Sequence, residues 1–215
     1  MTVEHSDGKT SAQRAPWLIV LLLAAAFGIG AGLYASSQED DVSTAFTHGD
    51  RTYFPLPEAP PPQFTLVNQY GETVTEQSFD GKLRLVFFGY TSCPDVCPTT
   101  LARLTRALEA LGPDAKAVAP IFITVDPERD TPERLKTYAA AFDPRIIALS
   151  GSAEAIDATA EAFNAFYSRI ETEAGHYLMN HPGLVYLYDR EGRPVAALND
   201  HASPEDIVRA VRARL

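Results

Sequence analysis

Residues Leu83–Phe88 read Leu-Arg-Leu-Val-Phe-Phe, and they run straight into Gly89-Tyr-Thr-Ser-Cys93-Pro-Asp-Val-Cys97-Pro98. A short, nearly continuous apolar run fits a central strand buried on both faces of a sheet. Pro98 has no amide hydrogen and is tolerated only in the first turn of a helix, so a helix begins close to the two cysteines. Beyond it Leu101, Leu104, Leu108 and Leu111 recur at helical spacing, and Gly112-Pro113 ends the pattern. Strand, cysteine turn and helix therefore form one unit, and any fold of this chain must be built around it.

The flanking signals repeat the alternation. Phe64–Val67 and Thr73–Val74 flank Asn68-Gln-Tyr-Gly71, which predicts a hairpin with Gly71 at positive φ. Val118–Val125 predicts a second buried strand. Thr131-Pro132 opens a helix that runs to about Phe142, and Ile146–Leu149 predicts a third strand. Ser152 caps a helix through about Ala165. Leu184–Tyr188, the turn Asp189–Gly192 and Val195–Leu198 predict a hairpin, and Ser203-Pro204 opens the last helix. Strands alternating with helices argue an α/β fold. An α/β half closed by a hairpin and a helix is, by analogy, the thioredoxin-like plan, here with an N-terminal hairpin extension.

Residues 16–35 carry no charge. As a helix they span about 30 Å, the thickness of a bilayer's hydrocarbon core. Lys9 and Arg14 precede the run, and Glu39, Asp40 and Asp41 follow it. The positive-inside bias then predicts a short cytoplasmic N-terminus at 1–15 and a transmembrane anchor at 16–35. An acidic, Pro-rich linker follows at 36–62, and a globular domain at 63–215 lies outside the cytoplasm, on the periplasmic side of a bacterial inner membrane or its equivalent. A cleaved signal peptide would usually have a shorter apolar core, about 7–15 residues. Lys and Arg total 18 against 28 Asp and Glu, a net charge of −10 that argues against nucleic acid as a partner. With only 2 Cys in the chain, a disulfide scaffold and a four-cysteine zinc site are both excluded.

If the helix begins at Cys93, positions i and i+4 put both sulfurs on one face, where they converge on one ion or close a disulfide. Helix N-terminal amides lower thiol pKa, so both cysteines are expected as available thiolates. A static disulfide closing so short a loop adds little stability, which favours a functional pair. Thiolates are soft ligands suited to Cu(I), zinc or iron–sulfur clusters, and two of them leave each such site incomplete. The candidates for a third ligand are His176, His181 and His201. Pro182 drives His181 toward extended backbone at the entry to a strand, in a loop expected beside the cysteine turn. His176 is the backup, and His201 reads as a surface residue.

From about Pro62 onward the chain resembles the Sco/SenC family of copper chaperones. The resemblance is carried by Phe87–Thr100 with its two cysteines, by Val125-Asp126-Pro-Glu-Arg-Asp130-Thr-Pro-Glu133, and by His181 ahead of an apolar strand and an Asp-x-x-Gly turn. It implies copper, as Cu(I) and Cu(II), bound by Cys93, Cys97 and His181. It also implies a role in maturing the binuclear copper site of cytochrome c oxidase subunit II, with other copper chaperones or thiol reductants as further partners. Asp126 and Asp130 fall where the family has acidic residues near the metal, positioned to orient the site. Turn-shaping before the Thr131 cap is the competing role for both. The chain departs from the family pattern at His176 and Asn180, where acidic residues are common, and at Pro182, where a hydroxyl residue is usual.

Two activities compete with metal binding. A thiol–disulfide oxidoreductase would use the same redox pair, Cys93 and Cys97, to reduce cysteines of exported copper-site proteins, but thiol exchange requires no third soft ligand. Thioredoxin-type enzymes also favour two residues between the cysteines, where this chain has three. A peroxidase of the same fold would carry Thr and Pro upstream of its cysteine, at positions held here by Tyr90 and Val86.

Overall fold

The computed structural model describes residues 52–215. In chain order these form β1 (Tyr53–Pro55), β2 (Thr65–Asn68), β3 (Thr73–Thr75), β4 (Leu83–Gly89), α1 (Val96–Leu111), β5 (Val118–Thr124), α2 (Pro132–Ala140) and β6 (Ile147–Ser150). They continue with α3 (Ala153–Ala162), β7 (Ser168–Glu171), β8 (Tyr177–Asn180), β9 (Val185–Tyr188), β10 (Pro194–Leu198) and α4 (Pro204–Arg212). Eight strands make one sheet in the order β1-β10-β9-β4-β5-β6-β2-β3, and β7-β8 form a separate ribbon. The parallel trio β4, β5 and β6 is flanked by antiparallel pairs on both sides.

Strand β4 is central, and every one of its residues is buried. Alternation splits its side chains between two faces. Phe87 contacts Phe122 and His181, whereas Phe88 contacts Phe163 and Tyr186. Both faces are therefore covered by rings, which is why the sequence here is an apolar run rather than an alternating one. The apolar stripe of α1, including Leu101, Leu104, Leu108 and Leu111, is fully buried, and this helix packs beside α4. Burying a Leu or Phe side chain is worth about 1.5–3 kcal/mol, so the two elements that meet at the cysteine turn are also among the most strongly anchored.

The capping signals fold as read. Thr131, Ser152 and Ser203 each accept a hydrogen bond from the helix they precede, with Pro at the first turn of α2 and α4. Gly71 takes φ 82° in the β2–β3 turn. Several boundaries differ. Helix α2 stops at Ala140, because Ala141 and Phe142 turn back onto the Tyr138 and Ala139 carbonyls. Strand β1 lies inside the stretch expected as linker, where pairing with β10 imposes extended structure that its Pro-rich surroundings do not announce. Among the described residues no helix is long and apolar enough to cross a membrane. The expected anchor at 16–35 and the cytoplasmic stretch at 1–15 lie outside the described residues, as does the linker up to Arg51.

Candidate metal centre

The helix starts at Val96, three residues later than the i, i+4 argument assumed. Cys97 is in the first helical turn, while Cys93 stands in the preceding turn, its amide donating to the Tyr90 carbonyl at 3.3 Å. The sulfurs converge through that turn and not along one helical face. The turn is pinned from outside. Asp130, wholly buried, accepts from the Thr91 amide at 2.9 Å, the Thr91 hydroxyl at 2.5 Å and the Thr124 hydroxyl at 2.6 Å. Arg134 donates to the Thr91 and Ser92 hydroxyls at 2.7 and 2.8 Å.

Gly89 closes β4 directly behind the site. A Cβ there would stand 2.8 Å from both Cys97 Sγ and a Phe122 ring carbon. The missing side chain lets Cys97 sink between the strand end and the Phe122 ring, where it is completely buried, while Cys93 stays partly exposed. This overturns the expectation of two ready thiolates. Burial pushes the Cys97 thiol well above its ordinary range, and the amide contributed by Tyr90 only partly opposes this. The sequence shows a helix N-terminus, but it does not show how deeply the sulfur is buried.

His181 enters from the segment between β8 and β9. Its Nε2 lies 3.3 Å from Cys97 Sγ, and its Nδ1 lies 3.1 Å from the Pro182 carbonyl. A carbonyl only accepts, so the hydrogen belongs on Nδ1 and the Nε2 lone pair faces the sulfurs. The rings of Phe87 and Tyr90 meet the imidazole edge-on at 5.9 and 5.7 Å. Burial lowers the His181 pKa, partly countered by the Pro182 and Phe88 carbonyls, which favours the neutral ring that can ligate. The ligand atoms of Cys93, Cys97 and His181 all lie within 4.8 Å of one another, so one ion can touch all three. His176 and His201 are not in this group. His176 is exposed in the β7–β8 turn, and His201 is exposed beside Asp200.

Asp126, almost fully buried, follows β5 and has two partners. Its carboxylate accepts from the Tyr177 hydroxyl at 2.9 Å and pairs with Arg129. Asp130 reaches the cysteine turn and Asp126 reaches the strand that leads into His181, so the two acidic residues tie down opposite sides of the site. Arg129 and Tyr177 themselves were not singled out in the sequence. The alternation of Arg169, Ile170, Glu171 and Tyr177, Leu178, Met179 about Gly175 was the available signal.

The SCO1/SenC family model matches residues 56–215. The chain belongs to the SCO1/SenC family. Among Sco relatives, the SCO2-like protein RP587 of Rickettsia prowazekii is 41% identical over 132 residues, covering 60% of this chain and 64% of that one. The structure of Bradyrhizobium japonicum ScoI with copper bound is 43% identical, with a TM-score of 0.69 over 73% of this chain and 100% of that one. BsSco, described with a disulfide switch as a member of the Sco family of cytochrome c oxidase assembly proteins, is 28% identical with a TM-score of 0.60, covering 74% and 95% of the two chains. These likenesses bear out the mixed α/β, thioredoxin-like Sco fold read from the sequence. The Cys93, Cys97 and His181 cluster of this chain is a group able to hold the metal that the Bradyrhizobium relative carries.

Proposed function

We propose that this chain is a membrane-anchored copper chaperone. It carries copper on Cys93, Cys97 and His181 and delivers it to, or prepares, the binuclear copper site of cytochrome c oxidase subunit II. The observation that carries the reading is the convergence of two sulfurs and one imidazole nitrogen within 4.8 Å. Two thiolates and a nitrogen suit Cu(I) at low coordination and give Cu(II) the nitrogen donor it prefers. Residues 16–35 hold the domain to the bilayer, on the periplasmic side or its equivalent, where the copper site of the recipient subunit matures. Asp130 holds the cysteine turn and Asp126 the approach of His181, so both orient the ligands without touching the metal.

The same residues divide the work of loading. Partly exposed Cys93 meets the incoming donor first. Buried Cys97 gives up its proton only when a metal replaces it, so copper uptake and thiol ionisation occur together. Phe87, Tyr90 and Phe122 exclude water from the inner side and leave the Cys93 side as the path in and out.

A thiol–disulfide role is the second reading, supported by the proximity of the two free sulfurs and by the disulfide switch described for BsSco. The two separate in a strain lacking this chain, complemented with variants and scored for copper in its oxidase. His181→Ala is expected to keep disulfide cycling and lose oxidase copper. Normal oxidase copper with His181→Ala, together with its loss in Cys93→Ser, would replace the chaperone reading with the oxidoreductase one.

A further inference from the structure

The β7–β8 ribbon pairs with no other strand among the described residues, and all four β7 residues are exposed. A lone two-stranded ribbon is at best marginally stable in water. Yet β8 ends at Asn180, one residue before His181, so the imidazole is placed only as well as the ribbon is held. The main hold is Tyr177. Its hydroxyl donates to Asp126 at 2.9 Å, and its ring lies 3.7 Å from the Arg129 guanidinium carbon and 3.6 Å from that of Arg169. Two guanidiniums that close to one centroid must occupy opposite faces, so the ring is sandwiched. Such cation–π contacts are favourable on each face.

Arg129 extends the contact inward. It pairs with Asp126, donates to the Tyr177 carbonyl at 3.2 Å, and stands 5.6 Å over the ring of Tyr90. Tyr90 in turn meets His181 edge-on at 5.7 Å. The Nη2 of Arg129 is buried with no hydrogen-bond partner, a cost that its contacts with Asp126 and the Tyr177 ring must offset. On the outer side Arg169 pairs with Glu171 at 2.6 Å and Glu128 at 3.3 Å. The two sulfurs are held separately, by the cysteine turn and α1.

We propose that Tyr177, stacked between Arg129 and Arg169 and bonded to Asp126, is a positioning residue that holds the β7–β8 ribbon so that His181 reaches the metal, and thereby governs retention of Cu(II) more than Cu(I). The proposal rests on the copper-binding reading above. Loosening the ribbon frees the imidazole and leaves the thiol pair intact. Cu(I) tolerates two sulfurs, whereas Cu(II) requires further donors, nitrogen among them, and fails first.

The test compares Tyr177→Leu, which loses ring and hydroxyl, with Tyr177→Phe, which keeps the stack alone, both in the full chain. In metal-free protein, amide exchange across residues 168–181 should rise in Tyr177→Leu, less in Tyr177→Phe, with α1 unchanged. With copper, Tyr177→Leu should bind Cu(II) about 10–100-fold more weakly and lose imidazole nitrogen coupling from its electron paramagnetic resonance spectrum. Cu(I) affinity should change by less than about threefold, since both sulfurs remain. Unchanged exchange in Tyr177→Leu overturns the hold on the ribbon, independently of any metal. Altered exchange with an unchanged Cu(II) spectrum overturns its link to His181. A wild-type spectrum without nitrogen coupling overturns the ligand reading of His181 itself.

Discussion

Thr91 and Asp130 are 39 residues apart in sequence, and both the amide and the hydroxyl of Thr91 donate to the one Asp130 carboxylate. That carboxylate also accepts from Thr124 at the end of β5, so a single buried side chain joins the cysteine turn to the sheet. Asp130→Ala leaves three donors without their acceptor and is expected to cost about 2–4 kcal/mol in urea unfolding. Asp130→Asn keeps the shape and should cost less. The Arg134 pairing contributes little to either number, because its nitrogen is 3.9 Å away and its side chain is 49% exposed.

Gly89→Ala tests how closely Cys97 is seated. The added carbon meets Sγ and the Phe122 ring at 2.8 Å, and both belong to tightly buried groups. Overpacking of this kind costs about 1–3 kcal/mol. The substitution is expected to lower the thermal midpoint and to reduce bound copper per chain, because the easiest relief moves Cys97 away from His181. Full copper occupancy in Gly89→Ala would show that the sulfur has room the structure does not give it.

Alkylation should distinguish the two thiols. Cys93 is partly exposed, whereas Cys97 is buried with its thiol pKa raised. In the reduced, metal-free chain, peptide mapping after brief iodoacetamide treatment should show Cys93 modified at least about tenfold faster. Equal labelling would contradict the burial of Cys97.

The legibility of the fold followed how local its causes are. The strand β4, the caps at Thr131, Ser152 and Ser203 and the turn at Gly71 depend on a few adjacent residues, and all of them were read. Strand β1 and the β7–β8 ribbon depend on partners far along the chain or across a turn, and they were not. The candidate cluster was legible because two cysteines and a histidine are chemically distinctive, and the structure brings the three together. The electrostatics of Cys97 were not, because they depend on Gly89 and Phe122 closing around the sulfur. The resemblance placed Asp126 and Asp130 near the site, and the position of Asp126 at the end of a predicted strand agreed, but only the structure separates their partners, Tyr177 for one and Thr91 for the other.

The raised thiol of Cys97 and the lowered imidazole of His181 fix the direction of pH effects. Cu(I) displaces the Cys97 proton, so affinity should rise about tenfold per pH unit for that proton across the neutral range. Burial lowers the His181 pKa below the ordinary 6.5, so any proton on its ring competes with copper toward the acid end of that range and in the same direction as the Cys97 proton. Competition with a chromophoric Cu(I) chelator between about pH 6 and 8 measures the slope. In the metal-free reduced chain a folded-state thiol pKa above 9.0 means that stability is held below that value and lost as pH rises past it. Cys97→Ala should remove this alkaline loss.

The central claim is that Cys93, Cys97 and His181 hold one copper ion together. Copper X-ray absorption on the full chain, reduced and loaded with one Cu(I), tests it most directly. Two sulfur neighbours and one imidazole nitrogen are expected, with the nitrogen lost in His181→Ala and retained in His176→Ala. A wild-type spectrum with no sulfur neighbours, or one unchanged by His181→Ala, would contradict it.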